Sequence, residues 1–161
     1  MFHLILTHCM KQISINKRIW FDHDITDTWE VGVILRGCEV KSLREGKINI
    51  KDAVALIVDS ELRVHNMDIP LYSKTNHNNV SWYEAKGKRK LLIKKKELAK
   101  ISSKMDKTGA RLLVMEIYFN SKQLVKLKLG LGKRRKKIEK RSAIKDRETR
   151  RQMDKDIKKY G

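Results

Sequence analysis

The stretch Leu113-Val114-Met115-Glu116-Ile117-Tyr118-Phe119, followed by Asn120-Ser121-Lys122 and then by Val125-Lys126-Leu127-Lys128-Leu129-Gly130-Leu131, decides the fold class. In the first run the odd positions Leu113, Met115, Ile117 and Phe119 are apolar. In the second run Val125, Leu127, Leu129 and Leu131 are apolar, with Lys126 and Lys128 opposite. Successive strand side chains point to opposite faces, so each run predicts a strand with one dry face. The turn-forming residues between them predict an antiparallel hairpin.

Outward from this hairpin, strands are expected at 30–36, at 53–58 (Ala53-Val54-Ala55-Leu56-Ile57-Val58) and at 62–67, with Asp59-Ser60 as a tight turn. Residues 95–107 carry Leu98, Ile101 and Met105 at spacings of three and four, which predicts a helix stopped by Gly109. Many short strands with few helices predict a mainly β fold: a small OB-type antiparallel β-barrel with a few short helices. The chain divides into an N-terminal extension (1–12), expected to be flexible, the barrel (13–131) and a basic C-terminal tail (132–161).

Charge points to the partner class. The formal net charge is +19 over 161 residues, a surplus that favours a polyanion, by default nucleic acid. Lysine outnumbers arginine, which suits phosphate attraction by point charge. The tail holds fourteen Lys/Arg against five Asp/Glu, with sparse apolar residues (Ile138, Ile144, Met153, Ile157, Tyr160). So little apolar surface cannot dock a helix firmly. A tail that is disordered alone and becomes helical when phosphates neutralise it is expected, the alternative being a solvated basic face.

Other classes find little support. Cys9 and Cys38 are far apart, outside any CxxC pair, and read as free thiols of a reducing compartment. The first ten residues lack a basic leader and a cleavage site, so a signal peptide is not expected, and Met10 is an alternative start. No run is long enough to span a bilayer, and the expected location is cytoplasmic. His3, His8, His23, His65 and His77 show no metal spacing, and no carboxylate pair or activated nucleophile stands out. Neither metal, cofactor nor catalytic residue is expected.

The run from Glu30 to Asp52, containing Gly37-Cys38-Glu39-Val40-Lys41-Ser42-Leu43-Arg44-Glu45-Gly46-Lys47-Ile48-Asn49, resembles the signature of the SmpB family, which binds tmRNA, with Val31 in place of the family's alanine. The resemblance continues in Asn16-Lys17-Arg18, His65-Asn66-Met67-Asp68-Ile69, Arg89-Lys90-Leu91-Leu92-Ile93, Leu129-Gly130-Leu131, Lys140-Arg141 and Ile144-Lys145-Asp146-Arg147-Glu148. It covers roughly residues 13 to 158. It departs at Ile19-Trp20-Phe21-Asp22-His23, at Ala85 and Gly87, and at Ile138 where the family has His or Tyr. Trp20 and Phe21 read as replacement core or as stacking rings.

The resemblance implies a non-enzymatic function. The barrel would bind the tRNA-like domain of tmRNA (SsrA RNA) and deliver it to the A site of stalled 70S ribosomes. The tail would lie in the empty mRNA channel near the small-subunit decoding region, beside elongation factor Tu with alanyl-tmRNA. A monomer is expected. The residues implied for tmRNA are Asn16, Lys17, Arg18, Glu30, Glu39, Lys41, Arg44, Lys47, Asn49, Arg89, Lys90 and Leu92. Those implied for the ribosome are Lys133, Arg134, Arg135, Lys136, Lys140, Arg141, Lys145 and Arg147. Carboxylates repel phosphate, so Glu30 and Glu39 would bind ribose hydroxyls or base amino groups, or orient a neighbouring cation. For Glu39 and Lys41 a same-face strand pair is the competing reading. Gly32, Gly37 and Gly46 read as backbone requirements. A general basic RNA binder without tmRNA selectivity is the alternative function; an RNA-processing enzyme would need an acidic metal cluster that the sequence does not display.

Overall fold

The computed structural model describes residues 11–75 and 80–135, together with positions 148, 149 and 153. In chain order these form β1 (Lys11–Ile15), α1 (Arg18–Asp22), β2 (His23–Val33), α2 (Gly37–Arg44), β3 (Val54–Val58), β4 (Glu61–His65), β5 (Arg89–Leu92), α3 (Lys95–Thr108), β6 (Arg111–Phe119) and β7 (Val125–Arg134). All pairings are antiparallel, and the ring β6-β3-β4-β5-β2-β7 closes on itself through β6–β7. β1 lies along β6 as a seventh strand. The fold is the mainly β, small closed barrel that the alternation predicts, and closure leaves few edges to protect.

The predicted hairpin is β6–β7, paired from Arg111↔Gly132 to Phe119↔Val125. On β7 the odd residues Val125, Leu127, Leu129 and Leu131 all face the core, as the pattern predicts. On β6 they do not. The register shifts between Val114 and Glu116, so Leu112 and Val114 face the core before the bulge and Ile117 and Phe119 after it. Leu113 and Met115 instead form a second cluster with Ile19 of α1, flanked by Ile25 and Val54. A bulge inserts one residue and swaps the faces, and four consecutive apolar residues (Leu112 to Met115) hide the swap in the sequence. This outer cluster also explains Gly130: a Cβ there would lie 2.5 Å from Met115 Sδ.

Asp59 and Ser60 form the tight β3–β4 turn with φ of 52° and 61°, the two left-handed residues of a hairpin turn whose twist matches its strands. α3 ends as predicted, with Gly109 at φ 62° donating its N–H to Met105 O at 2.8 Å. Ile101 is its buried anchor, and Lys104 ties it to β2 by bonding Asp27 and lying 5.8 Å from the Trp29 ring centroid.

Four expectations are corrected. The strand expected at 30–36 is the end of the longer β2, which begins at His23 and stops at Val33. Residues 37–44 are helix α2, so Glu39 and Lys41 are not a strand pair; on a helix they diverge, with Glu39, Ser42 and Leu43 inward and Lys41 and Arg44 outward. β4 ends at His65, because Asn66 takes a left-handed backbone with φ 57°. Trp20 is exposed rather than core, since Ile19 takes the inward position of α1. At the two ends, β1 already includes Lys11 and Gln12, and β7 runs past residue 131 to Arg134.

Candidate RNA interface

Three buried polar residues hold the site together from inside. Glu39 (5 % exposed) accepts the Arg36 N–H at 2.7 Å through Oε2, closing the first turn of α2. Its Oε1 accepts Arg89 Nε at 2.7 Å. Arg89 (6 % exposed) also donates to Met67 O at 2.6 Å, Gly87 O at 2.9 Å and Ala85 O at 2.8 Å. One guanidinium therefore pins α2, β5, the end of β4 and the 80–87 loop. Asn16 (3 % exposed) donates to Ile50 O at 3.2 Å and Lys51 O at 2.9 Å, fastening the end of β1 to the turn before β3. Asn16, Glu39 and Arg89 thus sit inside the fold rather than on the surface the resemblance implies for them. Glu39 instead bonds the buried Arg89 guanidinium.

The residues of the outer surface fall into three groups. The first is a band across the outer faces of β6, β7, β2 and β5. Glu30 stands opposite Lys128, Gly32 opposite both Lys126 and Leu92, and Tyr118 opposite Lys126. Residues opposite one another on antiparallel strands share a face, so these side chains are neighbours. Tyr118 Oη donates to Glu30, and Lys126 Nζ lies 3.5 Å from Glu30 Oε1. Burial pushes the Tyr118 phenol well above its usual pKa, and the bonded Glu30 carboxylate and nearby Glu116 add to this. Gly32 lets β5 approach: a Cβ there would be 3.3 Å from Leu92 Cβ. Leu92 is 53 % exposed, with Lys90 beside it on the strand, and Lys90 Nζ bonds Glu61. That bond, with a second from Arg63, holds the Glu61 carboxyl below its usual range. The band ends at Ile34, Arg36 and Trp82, which share a groove with Lys88 and Lys90.

The second group lies on α2 and the turn after it. Lys41 and Arg44 project outward three positions apart, and Lys41 Nζ is 5.8 Å from the Tyr72 ring centroid. Among the described residues neither has a carboxylate partner. Lys47 pairs with Glu45 at 2.8 Å, and Gly46 makes the turn between them at φ 75°. The Lys47 bond, then one from Ser73, keeps the Glu45 carboxyl below its usual range. Asn49 Oδ1 accepts Lys51 N–H at 3.1 Å, and its backbone pairs with Asp68, so it caps the turn more than it reaches outward.

The third group surrounds α1. Lys17 and Arg18 are exposed, Arg18 pairing with Asp22 at 2.9 Å. Arg18 lines a cavity with Lys51, Arg111, Lys133 and Arg134. Lys133 and Arg134 are the last residues of β7. Arg135 follows, its N–H donating to Asp22 O at 3.0 Å and its Nε to Asp24 Oδ1 at 2.6 Å. Lys136, Lys140, Arg141, Lys145, Arg147 and Ile138 lie outside the described residues, as do Cys9, His3, His8 and His77. Among the described residues no helix is long and apolar enough to cross a membrane.

By resemblance Glu30, Asn16 and the Glu39-Lys41-Arg44 group are expected on one surface with Lys90 and Leu92 near it; Glu30, Leu92 and Lys90 lie on the outer face of β2 and β5, whereas Asn16 and Glu39 are buried. Sequence reasoning missed Tyr118, Trp82 and Arg36, and read Lys126 and Lys128 only as the wet face of a strand. The signal for Tyr118 and Lys126 is their cross-strand register with β2, which only pairing reveals.

A surface of lysines and arginines with buried struts beneath it can hold a folded polyanion, with Lys41 and Arg44 lacking a carboxylate partner among the described residues while Lys126, Lys90 and Lys47 each have one. Comparison with known proteins agrees with this chemistry. The family model described as SmpB protein matches residues 13–159. An SsrA-binding protein of Maricaulis maris (strain MCS10) is 40 % identical over 149 residues, covering 92 % of this chain and 94 % of that protein. One of Thermosipho africanus (strain TCF52B) is 39 % identical over 150 residues, covering 93 % and 99 %. A chain of the solved structure "tmRNA-SmpB: a journey to the center of the bacterial ribosome" is 38 % identical, with a TM-score of 0.63 over 77 % of this chain and 85 % of that one. With a family model spanning most of its length and relatives alike from end to end, the chain belongs to the SmpB family.

Proposed function

We propose that this protein binds the tRNA-like domain of tmRNA through its barrel and brings it to stalled ribosomes, where the tail enters the empty mRNA channel. The observation that carries this reading is the end-to-end likeness to SsrA-binding proteins, joined to a solved relative described on the ribosome. The physical support is the band from Tyr118 through Glu30, Lys126, Leu92 and Lys90, together with Lys41, Arg44 and Lys47 on the α2 side. Its cations track phosphate, and Glu30 accepts from ribose hydroxyls or base amino groups. Lys17 and Arg18, beside Lys133 and Arg134, form a separate basic surface at the root of the tail. Asn16, Glu39 and Arg89 act one step back, as struts that fix the exposed groups. The protein performs no chemistry itself; it works in the cytoplasm as a monomer beside elongation factor Tu and alanyl-tmRNA, and its tail begins beyond Arg135.

The test is binding to the tRNA-like fragment of tmRNA against tRNA and a length-matched random RNA at roughly 150 mM salt, where weak electrostatics are partly screened. A preference of about tenfold or more, near 1.4 kcal/mol, is expected for the tmRNA fragment. Equal affinities that fall together as salt rises would replace this reading with a general RNA binder.

A further inference from the structure

Trp82 is an exposed tryptophan at the edge of the basic band. It is 52 % exposed, which is costly for an indole in water unless something covers it. It is not on a loose segment. Its neighbour Tyr83 donates its hydroxyl to Ile69 O, and the two rings meet edge to face with centroids 6.1 Å apart. Arg89 takes the Ala85 and Gly87 carbonyls, so the buried Glu39–Arg89 pair fixes the loop that carries Trp82. The Arg36 guanidinium lies 4.0 Å from the indole centroid, and Arg36 itself is held at the start of α2 by Glu39. A cation on one face of a rigid ring polarises it and leaves the remaining surface open to a second flat group.

The surroundings narrow the identity of that group. Lys88 and Lys90 line the same groove, with Glu84 as its one exposed carboxylate, and Ile34, half exposed, supplies an apolar floor. An apolar protein segment would meet three cations here. A nucleotide offers the π face of its base to the indole, while its phosphate answers Arg36 and Lys88, Lys90 being already bonded to Glu61. We propose that Trp82, backed by Arg36, is a stacking platform for one unpaired base of the bound RNA. The inference rests on the tmRNA reading and adds to it a recognition mode that is largely independent of salt. Sequence reasoning did not single out Trp82, because a lone tryptophan in a polar loop carries no periodic signal.

The experiment compares full-length wild type, Trp82→Ala and Trp82→Phe with the tRNA-like tmRNA fragment over a range of salt concentrations. Thermal melts establish that each variant folds. Trp82→Ala is expected to weaken binding by about fivefold to a hundredfold, the effect of losing one stacked base, with the slope of affinity against salt unchanged. Trp82→Phe is expected to recover part of that loss. Tryptophan emission supplies a second readout: RNA should quench wild type more than Trp82→Phe, which retains Trp20 and Trp29. Selective binding by wild type, with neither quenching difference nor loss in Trp82→Ala, would overturn the platform and leave the tmRNA reading standing. A wild type without tmRNA preference whose Trp82 emission is still quenched would do the reverse.

Discussion

Glu39 and Glu30 are two carboxylates of one basic protein, nine positions apart and both implied in tmRNA contact by resemblance, yet they occupy opposite environments. Glu39 is sealed inside, bonded to Arg89 Nε and the Arg36 N–H. Glu30 stands on the outer face of β2, with its side chain about half exposed, bonded to Tyr118 and near Lys126. The contrast teaches that a motif residue can serve RNA recognition at one remove. Glu39 fixes where Arg36, Lys41 and Trp82 stand, whereas Glu30 is itself available to a ligand. Stability and affinity should therefore separate between the two sites.

The largest effect is expected at the buried pair. Glu39→Ala or Arg89→Ala leaves an uncompensated buried charge and should cost about 3–5 kcal/mol of stability in denaturant melts. The double variant should cost clearly less than the sum of the singles, because each alone strands its partner. Additive losses would mean that the pair is not coupled and would dissolve the contrast with Glu30. Asn16→Ala comes next: it strips two carbonyls of their side-chain donor and should cost about 1–3 kcal/mol. Its RNA affinity, measured where the variant is still fully folded, should stay within about twofold of wild type, a difference near 0.4 kcal/mol. A large loss of affinity in a folded Asn16→Ala protein would put that residue back on the RNA surface.

How much of this was legible in the sequence varies with the range of the interaction. Alternation in Val125 to Leu131, the Asp59-Ser60 turn and the Gly109 stop are local signals, and each predicted its element correctly. α2 was not legible, because Cys38-Glu39-Val40-Lys41 alternates apolar and polar as a strand would, and only docking of Leu43 and Ser42 against the barrel selects the helix. The bulge at Met115 was hidden because residues on both faces of β6 are apolar there, one set for the barrel and one for α1. The Glu39–Arg89 pair joins residues fifty positions apart and leaves no local trace. The signature motif indicated the family but not the roles within it: it drew Asn16, Glu39 and Arg89 into the same class as Lys90 and Leu92, and burial is what separates them.

At Glu30 the expected balance is reversed. Glu30→Ala removes one partly solvated bond to Tyr118 and should cost about 1 kcal/mol of stability or less. Its affinity for the tRNA-like fragment should nevertheless fall by roughly tenfold, as for one lost charge-assisted hydrogen bond. A stability loss comparable with that of Glu39→Ala would show that both carboxylates are struts.

The smallest effect sharpens the same point through pH. Tyr118 sits largely out of water and donates to Glu30, so its phenol holds its proton more tightly folded than unfolded, where the pKa is about 10. A raised folded pKa means that the folded state binds the proton more strongly. The associated stability is complete below about pH 10 and is lost as pH rises from there towards the folded value. Wild type should thus lose stability more steeply than Tyr118→Phe in melts above about pH 10, where the phenylalanine variant has no such proton to give up. Glu30→Gln keeps a hydrogen-bond acceptor but removes the charge, so it should narrow the gap without closing it, burial being the larger cause. Glu39→Gln should leave the Tyr118 titration unmoved, because its carboxylate belongs to the other environment. Parallel alkaline slopes for wild type and Tyr118→Phe would mean that Tyr118 is open to water, and the outer face of β2 would then lose the contact that orders Glu30.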